Sequence, residues 1–177
     1  QAMSSAASDV YKRQVGKYAD EVGTSAAGEC KNCSPGHRTD TGAAVGASQC
    51  IACEQGKYSV ASNVASCSAC AVGKYADEVG TSAAGECKLC AAGKFADEVG
   101  TSAAGECKDC NAGHRTDTGT AGGASQCIAC EPGKYSVASN VASCSACAVG
   151  KYADEVGTSA AGAVSYTHLT LPTTLPV

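Results

Sequence analysis

The sequence predicts a small disulfide-rich β fold, an elongated tandem array of short irregular β-hairpin modules with little or no helix. Three observations predict it. Fourteen cysteines fall into seven CxxC pairs at nearly regular intervals. The stretches between them carry almost no bulky apolar side chains, and none of them shows the apolar stripe that a stable helix needs.

The array does not reach either end of the chain. Ser4 to Gln14 reads SSAASDVYKRQ, and with one allowed codon choice its DVYKRQ is encoded by GATGTGTATAAGAGACAG. The reverse complement of that string, extended by one T, reads VSYTHL in another frame, which is Val164 to Leu169. The two ends of a natural protein have no reason to be reverse complements of each other, whereas the two ends of an insert flanked by one adapter do. Residues 1–14 and 163–177 are therefore expected to be adapter-derived, disordered tails, and the cysteine-rich repeats to occupy 15–162.

Within 15–162 the large apolar residues are Leu89, Phe95, Ile51, Ile128, a few Val and five Tyr. A chain of this make-up cannot bury a conventional hydrophobic core. Ala and Cys supply much of the 44% hydrophobic content. All fourteen Cys lie in this part, so they must provide the stability that a core would otherwise give. It holds 16 acidic against 11 basic side chains, a net charge of −5. That balance argues against a nucleic-acid-binding surface, which would need clustered Lys and Arg.

Cutting after each CxxC gives units that end at Cys33, Cys53, Cys70, Cys90, Cys110, Cys130 and Cys147, with an eighth cut short by the second tail. The units recur as a block, Lys17 at Lys94, Ser59 at Ser136 and Cys67 at Cys144, always 77 positions later, as recent tandem duplication leaves them. Within a unit the pattern is a short extended piece at GKY, a turn rich in Gly, Ser, Thr and Ala, and a second extended piece entering the CxxC. The ADEVGTSAAGE stretch is broken by Gly and has no apolar face, so it is not a helix. Small hairpins joined end to end are expected, each too small to stand alone.

Three chemistries use CxxC pairs separated by sixteen or thirteen residues. In the first, the second Cys of one pair is bonded to the first Cys of the next: Cys33 to Cys50, Cys53 to Cys67, Cys70 to Cys87, Cys90 to Cys107, Cys110 to Cys127 and Cys130 to Cys144. Each bond would close a loop of roughly 15 residues and contribute about 3 kcal/mol through lost chain entropy. Cys30 and Cys147 are then left over beside the two cut ends, as truncation would leave them. An interlaced pattern, first to first and second to second, competes, because sequence alone does not decide connectivity. The second chemistry is zinc, whose ribbon-type sites use two CxxC pairs at this separation. Against it stand the change from sixteen to thirteen residues between otherwise equivalent pairs and the density of Cys in a chain without a core. The third, a redox-active CxxC, requires a thiolate activated at a helix N-terminus on a packed βαβ scaffold, and no such scaffold is visible.

The recurring C-x-x-C-x-x-G-x-[Tyr/Phe], followed by a polar turn and the next CxxC, resembles the ephrin-receptor-like cysteine-rich repeat and the first half-module of tumour necrosis factor receptor cysteine-rich domains. The pattern runs, for example, from Cys53-Glu-Gln-Gly56-Lys-Tyr58 to Cys67 and from Cys130-Glu-Pro-Gly133-Lys-Tyr135 to Cys144. The resemblance implies an extended, disulfide-laddered extracellular rod, one stretch of a larger receptor, adhesion or surface protein, with an extracellular protein ligand as its partner. Two departures stand out. The Pro often found before the Gly appears only at Pro35 and Pro132, and Arg38 and Arg115 replace the aromatic. The alternative is an intracellular zinc-binding CxxC repeat protein.

The Gly before each aromatic (Gly16, Gly56, Gly73, Gly93, Gly133, Gly150) is expected to supply a positive φ or a close approach to the next disulfide. Tyr18, Tyr58, Tyr75, Phe95, Tyr135 and Tyr152 would cover the bonds of the adjacent unit. His37 and His114 take the Lys position of GKY and are expected at the surface. The pairs Asp20/Glu21, Asp77/Glu78, Asp97/Glu98 and Asp154/Glu155 raise a calcium site between modules, but they lack the ligand spacing of a loop site, and a solvated turn is the simpler reading. Asn32-Cys33-Ser34 is formally an N-glycosylation sequon, which would sit at the surface of a secreted chain. The sequence offers no nucleophile beside a base, no phosphate-cradling loop and no pocket-forming core, so no catalytic, cofactor-binding or metal-binding residue is expected.

Overall fold

The computed structural model describes residues 15–19 and 30–160. Both expected tails, 1–14 and 163–177, lie outside the described residues, as does the pair Asp20/Glu21.

Each unit opens on a tight turn whose third residue is Gly. In the unit ending at Cys53, the His37 N–H donates to the Ser34 carbonyl at 3.1 Å across Pro35 and Gly36, and Gly36 has φ +81°. A type II turn places its third residue in this region, and Pro at the second position is pre-shaped for it. The chain leaves the turn as a strand of two or three residues, loops out, and returns antiparallel beside it.

Seven such hairpins follow in order: β1 (Lys17–Tyr18) with β2 (Lys31–Asn32), β3 (His37–Thr39) with β4 (Cys50–Ala52), β5 (Lys57–Tyr58) with β6 (Ser68–Ala69), β7 (Lys74–Tyr75) with β8 (Lys88–Leu89), β9 (Lys94–Phe95) with β10 (Lys108–Asp109), β11 (His114–Thr116) with β12 (Cys127–Ala129), and β13 (Lys134–Tyr135) with β14 (Ser145–Ala146). The register sets the GKY tyrosine opposite the residue after the first Cys of the pair, as in Tyr58 opposite Ser68. No α-helix occurs among the described residues. The ADEVGTSAAGE stretches carry one 3-10 turn each at Ala84–Glu86 and Ala104–Glu106. There the Glu86 carboxylate accepts from the Ser82 N–H and hydroxyl at 2.8 and 3.0 Å, which closes the turn. These bonds, the Ser82 amide first, hold the Glu86 carboxyl below its ordinary range.

Among the described residues no single core joins the hairpins. The buried side chains are small: most of the sulfurs, an Ala in most units, Thr81, and Thr39, Ser59, Thr116 or Ser136 directly after the aromatic position. Cys70, Ala76 and Cys87 form one cluster roofed by Tyr58 from the preceding unit, and Cys90, Ala96 and Cys107 form the next, roofed by Tyr75. Where Thr replaces Ala, its hydroxyl is satisfied locally: the Thr39 hydroxyl donates to the Gly42 carbonyl at 2.9 Å. A buried hydroxyl without such a partner would cost roughly 1–3 kcal/mol.

Candidate functional site

The site that gives this chain its properties is the joint between consecutive hairpins, repeated along the array. Its covalent part is a disulfide. Six bonds join the second Cys of one pair to the first Cys of the next: Cys33–Cys50, Cys53–Cys67, Cys70–Cys87, Cys90–Cys107, Cys110–Cys127 and Cys130–Cys144. Of the two connectivities open from sequence, the structure has the consecutive one. Their Cα–Cα distances of 5.6 to 5.9 Å lie at the usual separation for a bridge. The second Cys of every bonded pair is fully buried, so the link is shielded from solvent thiols on one side. Cys30 and Cys147 lie outside the six bonds.

The hydrogen-bonded part of the joint centres on the turn glycine. Gly56 donates its N–H to the Ala76 carbonyl of the next unit and accepts from the Cys70 N–H of its own, both at 2.8 Å. A methyl group added to Gly56 would overlap the Gly100 carbonyl oxygen, which belongs to the unit after next, and φ +78° is strained for any L side chain. The other glycines expected at positive φ, Gly16, Gly73, Gly93, Gly133 and Gly150, all stand there. A methyl on Gly133 would meet nothing within 4 Å, whereas Gly16, Gly73 and Gly93 each face a backbone carbonyl two units on. Gly36 and Gly113, which precede His, behave in the same way.

The contact that reaches two units ahead was not foreseen from sequence. The Gly100 N–H donates to the Cys70 carbonyl at 2.8 Å, Gly80 to Cys53, Gly123 to Cys90 and Gly157 to Cys130. In the short units this donor is Asn63, to Cys33, or Asn140, to Cys110, and both stand at positive φ, +66° and +63°. Asn is the residue after Gly that best tolerates the left-handed region. The donor stands seven residues after the turn Gly at Asn63, Gly80 and Gly100 but ten after it at Gly123, so no fixed spacing announces it.

Charged side chains reinforce the joint. Arg38, in the aromatic position, donates to Glu54 of the next unit at 2.7 Å, and Lys57 reaches the same carboxylate at 3.0 Å. Hydrogen bonds from Arg38 first, then Lys57, lower the Glu54 carboxyl to about 2. Arg115, Glu131 and Lys134 repeat the arrangement, and Glu131 is likewise lowered, by Lys134 first.

Among the described residues the acidic pairs do not converge with other ligand side chains on a cation site. Asp77 faces Lys88 across its own hairpin at 2.6 Å, with Glu78 at 3.5 Å from the same ammonium, and Asp97 faces Lys108 at 2.7 Å. Those lysines hold Asp77 and Asp97 below the ordinary carboxylate range. The recess of about 330 Å³ between Asp77, Glu78, Glu86 and Lys88 is open to the outside and already holds the Lys88 ammonium against its acids. The histidines differ from expectation: His37 and His114 are half-buried, each with Nδ1 3.3 Å from a carbonyl of its own turn, Pro35 and Ala112.

The zinc reading does not fit these joints. A ribbon site needs the thiolates of two CxxC pairs, and twelve of the fourteen sulfurs are bonded to another sulfur. Comparison with models of known protein families finds no match. Comparison with curated proteins finds no match either. The chain is a disulfide-rich β-repeat array, and its crosslinks belong to an oxidising environment. Among the described residues no helix is long and apolar enough to cross a membrane.

Proposed function

We propose that this chain is a stretch of an extracellular, non-catalytic rod that spaces or presents other parts of a larger surface or secreted protein, or binds a protein ligand along its length. The observation that carries the reading is the disulfide between every pair of consecutive hairpins from Cys33 to Cys144, in a chain whose buried side chains are little more than sulfur, Ala, Ser and Thr. Such a scaffold holds its shape only where thiols are oxidised. The turn-Gly-aromatic pattern, which recurs in every unit but the two that carry Arg38 and Arg115 in the aromatic place, supports an ephrin-receptor-like or tumour necrosis factor receptor-like module.

Thiol titration of purified protein with and without reductant, run beside a metal assay, tests the reading. We expect few thiols before reduction, nearly all of them after it, and no zinc. Predominantly reduced thiols with zinc near one per two CxxC pairs would overturn it.

A further inference from the structure

Resting on the extracellular reading, we infer that Asn32 is an N-glycosylation site, and that the array carries its N-linked sugar at this one place. Of the four asparagines (Asn32, Asn63, Asn111 and Asn140), only Asn32 is followed at the second position by Ser or Thr, with Cys33 between. The fold treats these asparagines differently. Asn63 and Asn140 give their backbone N–H groups to the joints two units back at positive φ, whereas Asn32 lies in the extended strand β2; all are exposed, and it is the Ser34 hydroxyl two residues on that sets Asn32 apart. Ser34, the hydroxyl residue of the sequon, is also exposed at the start of the next turn.

The chemistry needs a donor of one class, a lipid-diphosphate-linked oligosaccharide of the secretory pathway. The Asn32 Nδ2 bonds to the anomeric carbon of the sugar, the bond from that carbon to the diphosphate oxygen breaks, the lipid diphosphate leaves, and the amide loses one proton. Transfer needs the sequon as an accessible, extended segment, a state open to the chain before Cys33 is bonded to Cys50. The folded hairpin then has to leave room for the sugar. Across the hairpin Asn32 is opposite the half-buried Lys17, while Asn32 itself is exposed, so the sugar would project away from the strand pair. In the related long units the same position holds Leu89 and Asp109. Leu89 leans on the backbone of the unit two ahead, where a methyl on Gly123 would fall 2.7 Å from its Cδ2. A sugar at Asn32 therefore marks one unit among several near-copies and leaves the others bare.

The test is expression of the full chain behind a cleavable secretory leader in a eukaryotic cell, followed by enzymatic removal of N-linked sugar. We expect a downward mobility shift on removal, conversion of Asn32 to Asp in the peptide that contains it, and loss of the shift in Asn32→Gln and in Ser34→Ala but not in Asn63→Gln. A secreted, fully disulfide-bonded chain with unmodified Asn32 would overturn the assignment while leaving the rod reading intact. A chain glycosylated at Asn32 but with reduced cysteines in its folded form would support the assignment and sink the rod.

Discussion

At the scale of single residues, the joints depend on backbone conformations that few side chains reach. Gly56→Ala forces a left-handed Ala against the Gly100 carbonyl, and strain of this kind costs roughly 1–3 kcal/mol. Hydrogen exchange should show faster loss of protection at the amides of Gly56, Cys70 and Gly100 together. Gly105→Ala is the matching control: nothing lies within 4 Å of the added methyl and φ is not positive there, so protection should hold or rise slightly. Asn63→Gly should be tolerated, while Asn63→Val, whose branched side chain resists φ +66°, should weaken the bond to the Cys33 carbonyl and raise exchange at residue 63. The glycine before each aromatic was legible because a turn before a strand demands it. The roles of Asn63 and Asn140 were not, since their partners lie two crosslinks away and no local pattern names them.

At the scale of the hairpin, each element is stabilised from outside itself. A two-residue ladder contributes little alone. Replacing Cys70 and Cys87 together by Ala reopens a loop of 17 residues' separation and should cost about 3 kcal/mol, read as a new protease-sensitive site confined to that hairpin and its neighbours. The Glu54 bridge is pH-dependent in a definite direction. Its carboxyl sits at about 2 in the folded chain against an ordinary 4.5, so its contribution is complete above pH 4.5 and fades as pH falls toward 2. Thermal melts in that window should flatten in Glu54→Gln, and only modestly, because the pair is exposed and solvent screens it. Arg38 shows why this bridge was hard to read beforehand. It stands where the repeat asks for an aromatic, and it replaces a roof over the next disulfide with a charge tether to the next unit.

At the scale of the whole array, the hairpins, their order and the lack of a common core followed from Cys spacing and the scarcity of bulky side chains. That a strand pair closes on each CxxC was legible because an extended run, Gly-Lys-Tyr or its Gly-Lys-Phe and Gly-His-Arg variants, precedes every Cys pair. The reach to the second neighbour was not, because it is made by backbone groups whose side chains carry no signature. In such arrays stability is close to a sum of unit and neighbour terms. Reductant should therefore expand the chain over its whole length, measured as a rise in hydrodynamic radius, while a chelator leaves the radius unchanged. The amides of Gly80, Gly100, Gly123 and Gly157 add a mechanical property to this picture, because each bonds to the cysteine carbonyl two hairpins behind. Bending at one crosslink loads the bonds that straddle it on both sides, so curvature and torque spread over several units instead of concentrating at a hinge. Under pulling force such a strut would stretch first by shedding these straddling bonds, and lengthen only until the sulfur links come taut.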